Sequence, residues 1–174
     1  MMIGANQRYC IECNHLFMLK IIRTTSDNPD FTRLTGELDD ELCSIYQTKK
    51  EDFEDYNRIT DLKTVVLAYD EQELVGCGCF KKFDETTLEL KRVFIEPAFR
   101  GRGIASAIVR ELEKWGVELG YASAFLETGK GQPQAIQLYK KLGYEQLTDT
   151  SKFAVSDYSV CMMKKLVEIP SIAL

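Results

Sequence analysis

Apolar side chains first collect in a strand-like run at residues 18–23. They then switch to helical spacing at Phe31, Leu34, Leu38, Leu42, Ile45 and Tyr46. Asp30 is placed to cap that helix, and a short second helix is expected over residues 50–58. Strand-like runs follow at residues 64–69, 74–80 and 86–95, the first pair joined by a turn at 70–72. Ile104, Ile108, Leu112, Trp115 and Leu119 fall on one stripe, which predicts a helix from Arg102 to Leu119 that Gly120 stops. Residues 122–127 have the pattern of a buried, parallel-type strand. Residues 133–142 form the next expected helix, with Ala135, Leu138, Tyr139 and Leu142 on one face and Gly143 as its stop. A strand from Tyr144 and another over residues 158–166 complete the order β-αα-βββ-α-β-α-ββ. That order predicts one α/β domain with a mixed sheet, beginning near Met18. Residues 1–17 do not continue the pattern and are expected to form a flexible extension ahead of a domain at 18–168, with a tail at 169–174.

The junction between the third run and the long helix carries candidate chemistry. Residues 92–105 are Arg-Val-Phe-Ile-Glu-Pro-Ala-Phe-Arg-Gly-Arg-Gly-Ile-Ala: a strand, a basic turn with two glycines, then a helix. A helix N-terminus offers unpaired N–H groups and a partial positive charge, which attract phosphate oxygens. Gly101 and Gly103 let the backbone come close to a ligand, and Arg100 and Arg102 add cationic donors. Two common phosphate motifs fail here. No stretch matches G-x-x-x-x-G-K-[ST], and Ser106 stands where the third glycine of G-x-G-x-x-G belongs. A tight strand-to-helix turn without a ligand is the structural alternative.

Arg100-Gly101-Arg102-Gly103-Ile104-Ala105 does fill [RQ]-x-x-G-x-[GA]. It resembles the acetyl-CoA pyrophosphate loop of the GNAT superfamily of N-acetyltransferases, and the element order is similar to that family's from Met18 to Leu166. The resemblance implies a single domain with a mixed, mostly antiparallel twisted sheet, splayed between its fourth and fifth strands and flanked by about four helices. It implies acetyl-CoA as donor, with the pantetheine arm pairing along Val93, Phe94 and Ile95. The pyrophosphate would then lie on Arg100, Gly101, Arg102, Gly103, Ile104 and Ala105. The pattern of the strand itself asks for a bulge or burial on both faces, since Leu88, Leu90 and Phe94 share one face while Val93 and Ile95 are apolar on the other.

Residues 135–144, Ala-Ile-Gln-Leu-Tyr-Lys-Lys-Leu-Gly-Tyr, resemble the family's A-x-x-L-Y-x-x-x-G-[FY] segment. This implies that Tyr139 lies near the cofactor sulfur and protonates the leaving thiolate. A phenol can do so without bringing charge to the thioester. Tyr139 also lies on the apolar stripe of its helix, so a core role is the other reading. Gln132 stands where the family often has a cofactor-contacting asparagine, and keeps the amide with a longer reach. The stretch Glu89-Leu90-Lys91-Arg92-Val93 resembles an E-L-K-R-hydrophobic segment of the family, which implies Glu89 as general base or substrate contact. Glu127 is a second candidate, and a salt bridge with Lys91 or Arg92 is the alternative for either carboxylate.

Composition narrows the choices. With 174 residues the chain can bury a sizeable core. Its net charge of −5 argues against a nucleic-acid-binding surface. No apolar run reaches the ~18 residues of a membrane span, and no h-region marks a secretory leader, so a cytoplasmic protein is expected. Glu37, Asp39, Asp40, Glu41, Glu51, Asp52, Glu54 and Asp55 make either a solvated helix face or a negative rim that attracts a cationic amine. The six cysteines are Cys10, Cys13, Cys43, Cys77, Cys79 and Cys161. Cys77 and Cys79 point to one face of a strand, which fits buried, reduced thiols. Cys10, Cys13 and His15 lack a second ligand pair and the usual spacing, so no metal is expected.

The expected function is therefore transfer of acetyl from acetyl-CoA to an amine by direct attack in a ternary complex. A small cationic acceptor is favoured and a peptide or protein acceptor is the alternative. A non-catalytic acyl-CoA-binding module and an NAD- or ATP-binding domain are the rivals. Many members of the family dimerise through edge strands, which adds a homodimer to the expectations.

Overall fold

The computed structural model describes residues 7–10, 17–49, 60–150 and 158–166. The elements are β1 (Gln7–Cys10), β2 (Phe17–Thr24), α1 (Pro29–Tyr46), β3 (Val65–Asp70), β4 (Glu73–Lys82) and β5 (Thr87–Ile95), then α2 (Ile104–Glu118), β6 (Ser123–Gly129), α3 (Pro133–Lys141), β7 (Glu145–Gln146) and β8 (Ser159–Lys165). The strands are hydrogen-bonded in the order β1-β2-β3-β4-β5-β6-β8-β7. The ladders β1–β2, β2–β3, β3–β4, β6–β8 and β7–β8 are antiparallel, and β5 pairs with β6 in parallel. The expected mixed, mostly antiparallel sheet is present. The parallel ladder joins Thr87–Leu90 to Ser123–Leu126 and ends there, while β5 runs on to Ile95 and β6 to Gly129. This is the parting expected between the fourth and fifth strands counted from Met18.

Some details differ from the sequence expectation. β1 adds a strand ahead of Met18, pairing Gln7 with Lys20 through Cys10 with Phe17. The helix expected at 50–58 lies outside the described residues. The cap of α1 is Asn28, not Asp30: Asn28 Oδ1 accepts from the Asp30 N–H at 2.9 Å. Pro29 takes the first helical position, where a missing N–H costs nothing and φ is already set, so the helix starts earlier than the apolar stripe suggests.

The chain divides into two compact units, residues 1–79 with 92–109, and residues 80–91 with 110–174. In the first, Phe31, Leu34 and Leu38 of α1 pack against Val65, Leu67, Leu74, Cys77, Cys79 and Phe94. Near the end of the stripe Ile45 is exposed and Tyr46 half-buried. Tyr69 Oη donates to Asp30 Oδ2 at 2.6 Å, tying β3 to the first turn of α1. Burial, and then Asp30, push the Tyr69 phenol up to about 12. Its folded value thus lies above the ~10 of an unfolded tyrosine. The neutral phenol stabilises the fold below about pH 10, and that contribution is lost as pH rises through about 12. Tyr69→Phe is expected to cost about 1–2 kcal/mol at neutral pH and to flatten the stability loss over this alkaline window. Urea unfolding at several pH values reads both effects.

In the second unit Phe80 meets Trp115 and Tyr121 edge-on, each at 5.9 Å between ring centroids. Leu88, Leu112, Ala124, Leu126 and Met162 are buried. Leu119 is 56% exposed, so the apolar stripe of α2 stops a turn earlier than expected. Lys164 Nζ donates to both oxygens of Glu113, at 2.9 and 2.8 Å, and lies 5.5 Å from the Tyr144 ring centroid.

Candidate active site

The basic turn lies in the first unit. A 3-10 turn over Pro97–Phe99 leads from β5 into it, and α2 begins at Ile104. Ala107 N–H to Gly103 O, at 3.1 Å, is the first bond of the helix ladder. The N–H groups of Ile104, Ala105 and Ser106 precede that bond and have no intrahelical acceptor. The first turn carries no acidic side chain to oppose an incoming anion. Gly101 and Gly103 have φ of 79° and 78°, and a Cβ at either would meet nothing within 4 Å. Glycine here allows close approach of a ligand and also adopts a left-handed backbone that costs other residues about 1–2 kcal/mol.

The two arginines of the turn play different parts. Arg100 Nε donates to Ile95 O at 2.9 Å, Nη2 to Glu41 Oε2 at 2.6 Å, and the guanidinium lies 5.5 Å from the Phe94 ring centroid. Its side chain therefore braces the turn against β5 and α1. Arg102 lies over the Phe99 ring at 4.9 Å, with Asp70 at 3.7 Å and about half its side chain exposed. Arg102 is thus the guanidinium better placed to turn toward a ligand.

The strand feeding the turn is distorted, as its pattern asked. Arg92 has φ of 59°, in the left-handed region, in the middle of β5. Beyond it, Glu96 N–H donates to Val75 O, which turns that peptide toward β4. By strand alternation the peptide groups of Ile95 and Val93 face the other way. The Ile95 carbonyl is engaged there by Arg100. β4 approaches this stretch closely, since a Cβ on Gly76 would stand 2.9 Å from Phe94 O and 2.6 Å from Ile95 Cδ1.

Tyr139, Gln132, Glu89 and Glu127 belong to the second unit. Tyr139 is 7% exposed and meets Tyr144 edge-on at 5.6 Å. Burial pushes its phenol well above the usual range, so it holds its proton throughout physiological pH. Gln132 caps α3 by position, and its Oε1 accepts from Thr128 Oγ1 at 3.1 Å. Glu89 is buried, with Lys91 Nζ at 3.1 Å from one oxygen and Lys81 Nζ at 3.2 Å from the other. The salt bridge named as its alternative is present, with Lys81 as a partner that local spacing did not reveal. Glu127 lies on β6 opposite Cys161 and is half-buried. Among the described residues no cluster of His, Cys, Asp or Glu could hold a metal ion, and no helix is long and apolar enough to cross a membrane.

A family model, the acetyltransferase (GNAT) family, matches residues 28–144, a span that includes α1, the distorted strand, the basic turn and Tyr139. The chain belongs to the GNAT acetyltransferase family. The IAA acetyltransferase of Azospirillum brasilense is 28% identical over 142 residues, 77% of this chain and 89% of that protein. Human N-acetyltransferase 8 is 33% identical over 94 residues, 51% of this chain and 41% of the human protein. Among solved structures, a Klebsiella pneumoniae protein provisionally described as an acyl-CoA N-acyltransferase superposes with a TM-score of 0.70 at 27% identity, over 86% of this chain and 98% of that one. The N-acetyltransferase PaiA of Thermoplasma acidophilum, solved in complex with coenzyme A, shares the GNAT fold at a TM-score of 0.63 and 16% identity, over 84% of this chain and 98% of that one.

Proposed function

We propose that this GNAT protein moves an acetyl group from acetyl-CoA to an amine. The observation that carries the reading is the turn at 100–105: left-handed glycines, open space where their Cβ atoms would be, and a helix N-terminus free of acidic side chains. These residues fit a pyrophosphate held by the amides of residues 101–105, with the half-exposed Arg102 as the cationic donor. Val93 and Ile95 would offer peptide groups to the pantetheine arm, and Gln132 its side-chain amide.

In the proposed reaction the acceptor nitrogen, once neutral, attacks the thioester carbonyl. A C–N bond forms, the C–S bond breaks, the amine proton passes to a base, and the CoA thiolate takes a proton from Tyr139. Backbone N–H groups of β5 would polarise the carbonyl oxygen. Glu89 is the proposed base. Because each of its oxygens already holds an ammonium, it must release one partner to accept a proton, and Lys81, the more exposed lysine, is the one to release. Glu89→Gln is expected to lower kcat by about 10²-fold at neutral pH, with recovery as pH approaches the acceptor's own pKa. An unchanged pH–rate profile would leave Glu89 as an ion-pair residue alone.

The acceptor is proposed to be a small cationic amine, with a peptide amine as the second class to screen. On α1, Glu37 pairs with Arg33, Asp39 with Arg92 and Glu41 with Arg100. Those acids serve as internal counter-charges, so the support for a cationic acceptor comes from the overall charge of −5. The buried thiols of Cys77 and Cys79 suit a reducing, cytoplasmic setting.

Calorimetric titration with acetyl-CoA, run beside NAD and ATP, tests the reading. Micromolar binding of acetyl-CoA alone supports it and opens an acceptor screen. A folded sample that binds no acetyl-CoA sinks it, and binding of NAD or ATP instead would point to the nucleotide-binding rival.

A further inference from the structure

This inference rests on the acetyl-CoA reading of residues 93–105. We propose that Arg92 and Asp39 form a positioning pair: an ion pair from α1 holds β5 in its left-handed kink and so aims the strand end and the basic turn at the cofactor. An arginine inside a strand does not adopt φ of 59° unless something holds it there. Here the side chain provides the hold. Arg92 Nη1 lies 2.5 Å from Asp39 Oδ1, Nη2 lies 3.4 Å from Oδ2, and the side chain is only 7% exposed. The fork geometry fixes the guanidinium plane as well as its position, which a lysine cannot do.

The backbone of the same residue is held too. The Arg92 carbonyl accepts from the Cys77 thiol at 3.4 Å. Burial drives that thiol far above its usual range, so it remains a protonated donor. Further along, Arg33 of α1 reaches Glu96 at 2.9 Å and Glu41 of α1 reaches Arg100 at 2.6 Å. α1 thus grips the kink, the strand end and the turn, all within one compact unit. The pair at Arg92 is the least exposed of these ties and the one at the residue whose backbone is strained.

The test compares CoA affinity with thermal stability. Arg92→Gly removes the guanidinium but accepts the positive φ without strain. Asp39→Asn keeps the side-chain shape and removes the charge. Arg92→Lys keeps the charge and loses the fork. CoA binding is measured by calorimetry, first on the wild type and then on each variant, beside thermal unfolding. Arg92→Gly is expected to raise the Kd for CoA about tenfold, and Asp39→Asn a few-fold. The double variant should bind no worse than Arg92→Gly alone, because the pair acts as one unit, and Arg92→Lys should recover part of the loss. With acetyl-CoA saturating, kcat should stay within about twofold of wild type, the effect appearing in KM. Folded variants that lose thermal stability yet bind CoA as the wild type does would overturn the inference, since the pair would then serve packing alone. If Arg92→Gly does not fold, Asp39→Asn and Arg92→Lys decide by the same comparison. A wild type that binds no CoA would overturn the cofactor reading, and this inference with it.

Discussion

Tyr139→Phe is expected to lower kcat by about 10²–10³-fold while leaving acetyl-CoA affinity within about twofold of wild type. The variant removes one oxygen and its proton and keeps the ring, so the edge-on contact with Tyr144 survives and stability should change little. Burial has two opposing effects on the role. It keeps the phenol protonated at every working pH, which a proton donor requires. It also makes the phenol a weaker acid, so donation depends on a thiolate generated next to it in a water-poor site. A rate that rises over pH 7–9 as the acceptor amine loses its proton, without an alkaline fall from Tyr139, would fit this balance. An unchanged kcat would return Tyr139 to the core role that its place on the apolar stripe of α3 allows. Acetyl-CoA binding by the wild type without turnover of any amine would instead favour the acyl-CoA-binding module over the enzyme.

Gly103→Glu is expected to weaken acetyl-CoA binding by about 100-fold or more, read by calorimetry. The substitution acts in two ways. It forces a side chain into a φ of 78°, and it places a carboxylate at the helix N-terminus that a pyrophosphate would use. Gly103→Ala separates the two. It keeps the backbone strain, about 1–2 kcal/mol, without the charge, and its methyl meets nothing within 4 Å inside the protein. Alanine should therefore reduce binding far less than glutamate. Equal loss in both would make the backbone shape the whole effect. No loss in either would remove the phosphate from this turn and leave it as a structural corner.

Much of this protein is legible along the chain because its signals are local. The stripe Ile104, Ile108, Leu112 needs only helical period to be seen, and all three residues are buried. The basic turn combines strand, glycines and helix start within fourteen positions, 92–105, so its shape follows from neighbours in sequence. The ends of the stripes were less legible: Ile45 and Leu119 keep the period but are exposed, because periodicity does not say where the covering layer stops. The cap at Asn28 is not legible along the chain because Asp30 is an equally good capping residue. The choice fell to Pro29, which fits the first helical position and moves the cap ahead of it.

The alternation of strands and helices, the buried stripes and the basic, glycine-containing turn follow from the order of residues alone, since each depends on spacing within a few residues. What the charges do becomes visible only in the folded chain. The acids of α1 look like a solvated face or a substrate rim in sequence, yet Asp39 and Glu41 meet Arg92 and Arg100 across 53 and 59 positions. Arg100 looks like a phosphate ligand, yet its guanidinium is engaged with Ile95 and Glu41. Glu89 looks like a base beside one lysine, and the fold supplies a second from β4. Backbone and apolar patterns obey short-range rules of period and turn. Charge pairing is set by which distant side chains the packed elements bring within a few ångströms, and burial then decides how strongly those pairs hold.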